Sequence, residues 1–388
     1  MNIQVIIPSF YPAVAYGGPI YSTLYVYNEL SSYSDINISV STTNANINKK
    51  LDVLPNTWIS FNKNFRVKYY NETVINKFSC SLAVNIWKDI KIADIIHIQS
   101  IFSISTPISL FLTVIFKKKV IISPRGSLGN WCLQNGSRFK KTWLNFLIKP
   151  FISNSIFHAT STQEEKEILA CFDKANVEII PNGINFSDYQ TYNKLNKIEF
   201  LSKFTDKNFN KVDKIIISMG RLHKKKGFDI LINSFSYILD TYPHAKLLIA
   251  GSDEGEEENL LNIIKEKKLA DSVFIVGNIL GSEKIDFFAN ADVFALPSHN
   301  ENFGNVFLES LASGTPILAS KNTPWMSIEL HDCGIWTENS IENTYLALLE
   351  LLCKDRAIMR HNSKALASSY DWKNIAKQFK SLYQNQLR

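Results

Sequence analysis

The chain is short of the features that define several protein classes. Its five cysteines, Cys80, Cys132, Cys171, Cys333 and Cys353, are odd in number, scattered, and never spaced C-x-x-C. That excludes a disulfide framework or a zinc knuckle and suits a reducing cytoplasm. No apolar stretch approaches the ~20 residues needed to cross a bilayer; the most apolar run, Ile108 to Phe116, stops at Lys117-Lys118-Lys119. The opening MNIQVIIPSF lacks a basic n-region, so no export is expected. Neither G-x-G-x-x-G nor G-x-x-x-x-G-K-[ST] occurs, which removes the main support for a dinucleotide dehydrogenase or a P-loop NTPase. Acidic residues are missing altogether between Asp94 and Glu164, while Lys117, Lys118, Lys119, Arg125, Arg138, Lys140, Lys141 and Lys149 fall there.

What is present is an ordinary globular composition: 388 residues, 45% hydrophobic, 20% charged, net charge +6. That length favours two domains with separate cores. Short β-branched runs at 3–7, 95–98, 120–123, 177–180, 215–218, 246–250, 273–276, 293–296 and 317–319 alternate with helix-length stretches. This is the pattern of βαβ units and parallel sheets. A polar, Asn- and Lys-rich lapse near Phe186–Lys211 marks the expected linker. The expectation is therefore two α/β, Rossmann-like, doubly wound domains, 1–195 and 196–370, facing each other across a cleft. A last helix, 371–388, could pack on either domain, with Trp372, Ile375, Phe379 and Leu382 at helical spacing.

Three stretches carry chemistry. Gly17-Gly18-Pro19 opens a helix, where amides favour phosphate; taken alone, a turn that simply needs glycine is as good a reading. Gly220-Arg221 ends a strand, and Lys224-Lys225-Lys226-Gly227 leads into a helix. Arg221 and Lys226 suit a diphosphate clamp of fork and point charge, with Lys224 and Lys225 left as solvated surface. From Pro297 to Pro316, a polar loop holds Glu301 and a helix from about Asn305 carries Glu309, with Gly314 as its stop. Two carboxylates beside a cationic clamp match a ligand with hydroxyls at both ends, such as a nucleotide sugar. The plainer alternatives are an exposed helix glutamate for Glu309 and a helix-dipole partner for Glu301.

The E-x7-E element Glu301–Glu309, inside P-S-x-x-E-x-F-G-x-x-x-L-E-S-x-A-x-G-x-P, with Gly220-Arg221 and Lys226-Gly227, resembles the retaining glycosyltransferases of family 4, which have the GT-B fold. Gly17-Gly18, Ile180-Pro181-Asn182-Gly183-Ile184 and Tyr370-Asp371-Trp372 extend the resemblance along nearly the whole chain. It implies an N-terminal acceptor-binding domain and a C-terminal domain that binds the nucleotide sugar. In that domain Glu309 would bond the ribose, Glu301 would approach the sugar hydroxyls, and Arg221 and Lys226 would hold the diphosphate. Phe303, Gly304 and Asn305 would supply contacts near the helix start, and Val276, Gly277 and Asn278 would flank the base. Arg125, in Pro124-Arg125-Gly126, stands where many members carry a histidine, as in a subset resembling polysaccharide-assembly enzymes. It becomes a candidate for catalysis, donor phosphate or an anionic acceptor. Asp94-Ile95-Ile96-His97-Ile98-Gln99 resembles the family's H-x-H strand with Gln99 in place of the second histidine. His97 is then either a site residue or a buried core histidine.

The resemblance implies a retaining, metal-independent transfer of a hexosyl or N-acetylhexosaminyl group from a UDP- or GDP-linked donor, with no cofactor besides the donor. The strict Asp-x-Asp pair of the other major glycosyltransferase fold is absent. A glycan or polyprenyl-linked acceptor in O-antigen or capsule assembly is expected. The segment 138–151 places Phe139, Trp143, Phe146 and Leu147 on roughly one helical face among cations. That composition suits an anionic bilayer interface, although packing on its own domain is commoner. A cytoplasmic enzyme, peripheral on the inner face of the plasma membrane, follows as the expectation. A non-catalytic nucleotide-sugar-binding subunit and a transferase with a soluble acceptor are the alternatives. Nucleic acid is not expected, because the aromatics of the basic stretch are not set out as a stacking sheet.

Overall fold

The computed structural model describes residues 1–47, 49–73, 77–129, 132–133 and 139–387. They divide into two units, Met1–Gly183 with Trp372–Arg388, and Ile184–Asp371. The first contains β1 (Asn2–Ser9), β2 (Asn37–Thr43), a small antiparallel pair β3 (Ala45–Asn46) and β4 (Lys49–Lys50), and β5 (Trp58–Asn62). It continues with β6 (Phe65–Tyr70), β7 (Ile95–Gln99), β8 (Lys119–Ser123), β9 (Ser155–Ala159) and β10 (Asn176–Ile179). Eight of these form one sheet in the order β10-β9-β8-β7-β1-β2-β6-β5, parallel except where β5 meets β6. Its two faces bury separate cores. One is roofed by the helices Gly18–Leu30 and Trp372–Leu387, the other by Cys80–Ile92, Ser105–Ile115 and Thr162–Cys171.

The second unit holds β11 (Ile215–Met219), β12 (Lys246–Ala250), β13 (Val273–Ile275), β14 (Val293–Leu296), β15 (Ile317–Ser320) and β16 (Gly334–Thr337). Their order is β13-β12-β11-β14-β15-β16, all parallel. Central strands such as Ile215-Ile216-Ile217 are buried along their length because helices cover both sheet faces, so they read as continuous apolar runs. The expected class is what the structure has: two parallel-sheet α/β units.

Two organisational expectations change. The boundary lies after Gly183 rather than at 195/196, and the stretch taken as a linker belongs to the second unit. Its polar sequence hides a helix, Lys197–Phe204, started by a capping box between Asn196 and Glu199. Phe200 and Leu201 on that helix are fully buried against the second core, and Lys203 pairs with Asp286 at 2.7 Å. The C-terminal helix lies in the first unit, where Tyr383 is fully buried.

In the first unit, Arg138 of the basic segment lies outside the described residues. The helix Phe139–Trp143 runs into a π-helical turn at Leu144–Ile148. The segment does not present one apolar face. Trp143 turns inward, its indole N–H donating to the Ile101 carbonyl at 2.9 Å, while Phe139 and Phe146 stay 79% and 72% exposed.

Candidate functional site

In the second unit the parallel strands bring their carboxyl ends to one edge, and the residues singled out from sequence follow those ends. Gly220-Arg221 follows β11, Val276-Gly277-Asn278 follows β13, and the Pro297–Gly304 loop follows β14. In open α/β sheets this edge is where ligands bind. The loop from Lys224 to Gly227 reaches it because Gly227 takes φ +68° and comes against β14's exit; a Cβ there would stand 2.2 Å from the Pro297 carbonyl oxygen. Only glycine permits both the dihedral and that approach. The His299 N–H donating to the Lys225 carbonyl, 2.8 Å, ties the two loops together.

That junction places Lys226 on Glu301: the ammonium donates to Oε1 of the carboxylate, which also accepts from Ser298 Oγ at 3.3 Å. The two side chains are 16% and 12% exposed, so the pair is largely shielded from water. Phe303 anchors the same loop. Its ring packs on Trp325, centroids 5.2 Å apart, and its carbonyl accepts the Trp325 indole N–H at 2.6 Å. Gly304, φ +75°, then turns the chain into the helix Asn305–Ala312. Glu309 sits on that helix, neither an ordinary exposed glutamate nor unpaired. Lys284 Nζ, from the helix Gly281–Ala289, stands 2.7 Å from its Oε1 and 2.6 Å from Oε2. The ammonium thus bridges both carboxylate oxygens. Arg221 is different in kind. It is 67% exposed, and its Nη1 donates to both oxygens of Glu254 at 2.7 and 2.9 Å.

Lys284 and Glu254 escaped the sequence reading. No spacing flags either; Lys284 meets Glu309 only because two helices, 25 residues apart at these positions, pack side by side. Gly277 and Asn278 are exposed and Val276 is half-buried, beyond the end of β13. Among the described residues no group of three or more His, Cys, Asp or Glu side chains is placed to hold a metal ion.

The first-unit candidates separate into two kinds. Gly17 has φ +78°, which calls for glycine, yet a Cβ there would meet open space. That geometry is a helix-opening turn with Gly18-Pro19 as the first residues of the helix. His97 is a core residue rather than a site residue: it is fully buried on β7, and both ring nitrogens are engaged. Nδ1 lies 2.8 Å from Tyr383 Oη and 3.2 Å from Tyr27 Oη, and Nε2 lies 2.8 Å from Ser123 Oγ. Burial, with His158 and the Arg125 charge nearby, holds His97 well below the ordinary histidine range. Ser123 Oγ continues to His158 Nδ1 at 2.7 Å, and burial with Arg125's charge pushes His158 down to about 3. Gln99, also buried, donates to Tyr27 Oη at 2.6 Å and accepts from Arg125 Nε at 2.8 Å. Arg125 alone of this group reaches the surface of the unit.

Parallel strands thus bring a lysine–glutamate pair and the lysine-held second glutamate of the E-x7-E element to one sheet edge. Residues 200–370 match the family described as Glycosyl transferases group 1. The chain is 29% identical over 227 residues to an uncharacterised glycosyltransferase of Methanocaldococcus jannaschii, covering 56% of this chain and 57% of that protein. It is 28% identical over 270 residues to the capsular polysaccharide biosynthesis glycosyltransferase CapM of Staphylococcus aureus, 65% and 67% of the two chains. The chain spans about half the length of several curated relatives it matches. In fold it is similar to HepE of Anabaena, solved in complex with UDP, with a TM-score of 0.73 at 17% identity over 99% of this chain and 100% of that one. Over residues 200–370 the second unit thus matches the group 1 glycosyltransferases, and the fold is similar to that of GT-B glycosyltransferases.

Proposed function

We propose that the chain transfers a sugar, with retention, from a UDP- or GDP-linked donor to a lipid-linked glycan acceptor in surface polysaccharide assembly. The observation that carries the donor half is the paired carboxylate arrangement of the second unit, Glu301 on Lys226 and Glu309 on Lys284, at the edge where β11 and β14 end. Glu309, held by Lys284, would take the ribose hydroxyls. Glu301 would take the sugar hydroxyls once Lys226 turns to phosphate. As the glycosidic bond breaks, charge builds on the departing diphosphate, which Arg221, Lys226 and the amides near Gly304 would stabilise. The proton of the attacking hydroxyl would pass to a phosphate oxygen, so the reading calls for no cofactor and no metal. CapM's capsular role and HepE's UDP point the same way.

A lipid-linked acceptor is supported by the first unit's surface. The helices Cys80–Ile92 and Ser105–Ile115 and the segment 139–151 adjoin; Phe111, Ile115, Phe139 and Phe146 are exposed within the stretch that lacks acidic residues, and Val84 and Ile92 are exposed on the helix before it. Such a basic, apolar face fits the boundary of an anionic membrane, on the cytoplasmic side. No helix among the described residues is long and apolar enough to cross a membrane.

Two measurements test the reading. A transferase releases free nucleotide slowly from its donor without acceptor; no release from any UDP- or GDP-sugar that binds would favour a non-catalytic subunit. In vesicle flotation the protein should rise with anionic liposomes and not with neutral ones, and failure to rise with either would move the acceptor to a soluble one.

A further inference from the structure

Arg125 is held in an unusual way. Its backbone takes φ +56°, a left-handed conformation that is strained for a non-glycine residue and persists only where the surroundings impose it. Its guanidinium is fixed by two neutral acceptors, Gln99 Oε1 at 2.8 Å from Nε and Asn182 Oδ1 at 3.1 Å from Nη1. Behind Gln99 the chain of hydrogen bonds runs through Tyr27 and His97 to Tyr383 on the C-terminal helix, all buried and all uncharged. The nearest carboxylate influence is Glu164, whose oxygens go to the Gly126 N–H at 2.6 Å and to the Thr160 N–H and hydroxyl at 2.7 and 2.8 Å. Among the described residues no carboxylate pairs with Arg125, and three of its five guanidinium N–H groups, both on Nη2 and one on Nη1, have no protein acceptor. Burial accordingly disfavours its charge, holding its pKa below the ordinary arginine value.

A strained, oriented cation with an unspent fork and no directly paired carboxylate is the arrangement a planar two-oxygen anion completes. We propose that Arg125 is an oxyanion-binding residue of the first unit, taking a phosphate or sugar carboxylate of the glycan acceptor. Gln99 acts as its positioning residue, fixing the plane of the fork from the buried side. This assignment rests on the transferase reading for the identity of the acceptor, but the anion site stands on the geometry of the first unit alone. Gln99 is the residue that keeps the site vacant for a ligand: a glutamate in its place would supply the missing charge from within.

The test labels arginine Nε with 15N in the full-length protein. The chain has seven arginines, and the Arg125 resonance is assigned by its loss in Arg125→Lys. Sodium phosphate and sodium glucuronate are titrated separately, with sodium chloride holding ionic strength constant. The Arg125 resonance should shift saturably with at least one of the two anions, the one that acts naming the acceptor group, and not with chloride. In Gln99→Glu the shift should need at least tenfold more anion. Asn182→Asp, which supplies a carboxylate from the other side, should weaken the response in the same direction if Gln99→Glu does not fold. An Arg125 resonance that ignores both anions, or carboxylate variants that respond as the wild type does, would overturn the proposal. The Arg221 resonance reports the donor reading independently, because it should move with UDP or GDP whatever happens at Arg125.

Discussion

The Lys226–Glu301 pair can be tested by a double-mutant cycle. Each side chain is more than four-fifths shielded, 16% and 12% exposed, and the ammonium bonds the carboxylate directly. Removing one partner of a fully buried pair costs ~3–5 kcal/mol because the other charge is left uncompensated. The residual exposure here allows water to return, which lowers the expectation to about 1–3 kcal/mol of coupling. Lys226→Ala and Glu301→Ala should therefore each destabilise the protein, while the double variant recovers that coupling. Turnover should behave oppositely. Lys226→Ala removes a charge aimed at the leaving diphosphate and should lower turnover ~10²–10³-fold, and Glu301→Ala in the same chain cannot restore it. Urea unfolding and nucleotide release, measured on all four proteins, separate the two quantities. Coupling under ~0.5 kcal/mol, together with turnover within threefold of wild type, would refute both the pairing and its role.

Arg221→Ala should lower turnover by a similar ~10²–10³-fold while changing stability by less than ~1 kcal/mol, because its pair with Glu254 is an exposed one; an unchanged turnover would remove Arg221 from the phosphate clamp. Folding stability should fall with acid through His158, whose folded-state pKa is depressed to about 3 by burial and Arg125's charge. A depressed histidine pKa means that the unfolded chain takes the proton first. The contribution is complete above pH ~6.5 and is lost as pH falls from there towards the folded value, ~2 kcal/mol between pH 6.5 and 5. Denaturant midpoints across that range check it, with His158→Gln expected to flatten the slope and a pH-independent wild type contradicting it.

Nine strands were legible as apolar runs, most of them buried between helix layers and one, β10, largely exposed at the sheet edge. β2, β5, β6, β9 and β16 were not, for identifiable reasons. β2, NISVSTT, buries serines and threonines that find partners on neighbouring segments, as Thr43 Oγ1 does by donating to the Pro8 carbonyl at 2.7 Å. β5 is the edge strand and buries no residue, and β6 beside it alternates in burial instead of reading as one apolar run. β9, SIFHA, is short and carries His158, whose place in a buried chain no local pattern announces. The E-x7-E loop was legible because its glycines, prolines and carboxylates are local to one strand–loop–helix unit. Lys284 and the Gln99–Tyr27–His97–Tyr383 chain were not, since they join residues far apart in sequence, up to 286 positions for His97 and Tyr383.

The central claim is that the second unit binds a nucleoside diphosphate through Glu309 and its neighbours. Thermal unfolding against UDP, GDP, ADP and TDP, with Glu309→Ala beside the wild type, tests it most directly. A ligand specific to the folded protein adds RT ln(1 + [L]/Kd), ~2.7 kcal/mol at a hundredfold excess over Kd. The account predicts that UDP or GDP raises the wild-type transition and leaves the variant's in place. Unfolding curves unmoved by every nucleotide, or an equal rise in wild type and variant, would contradict it.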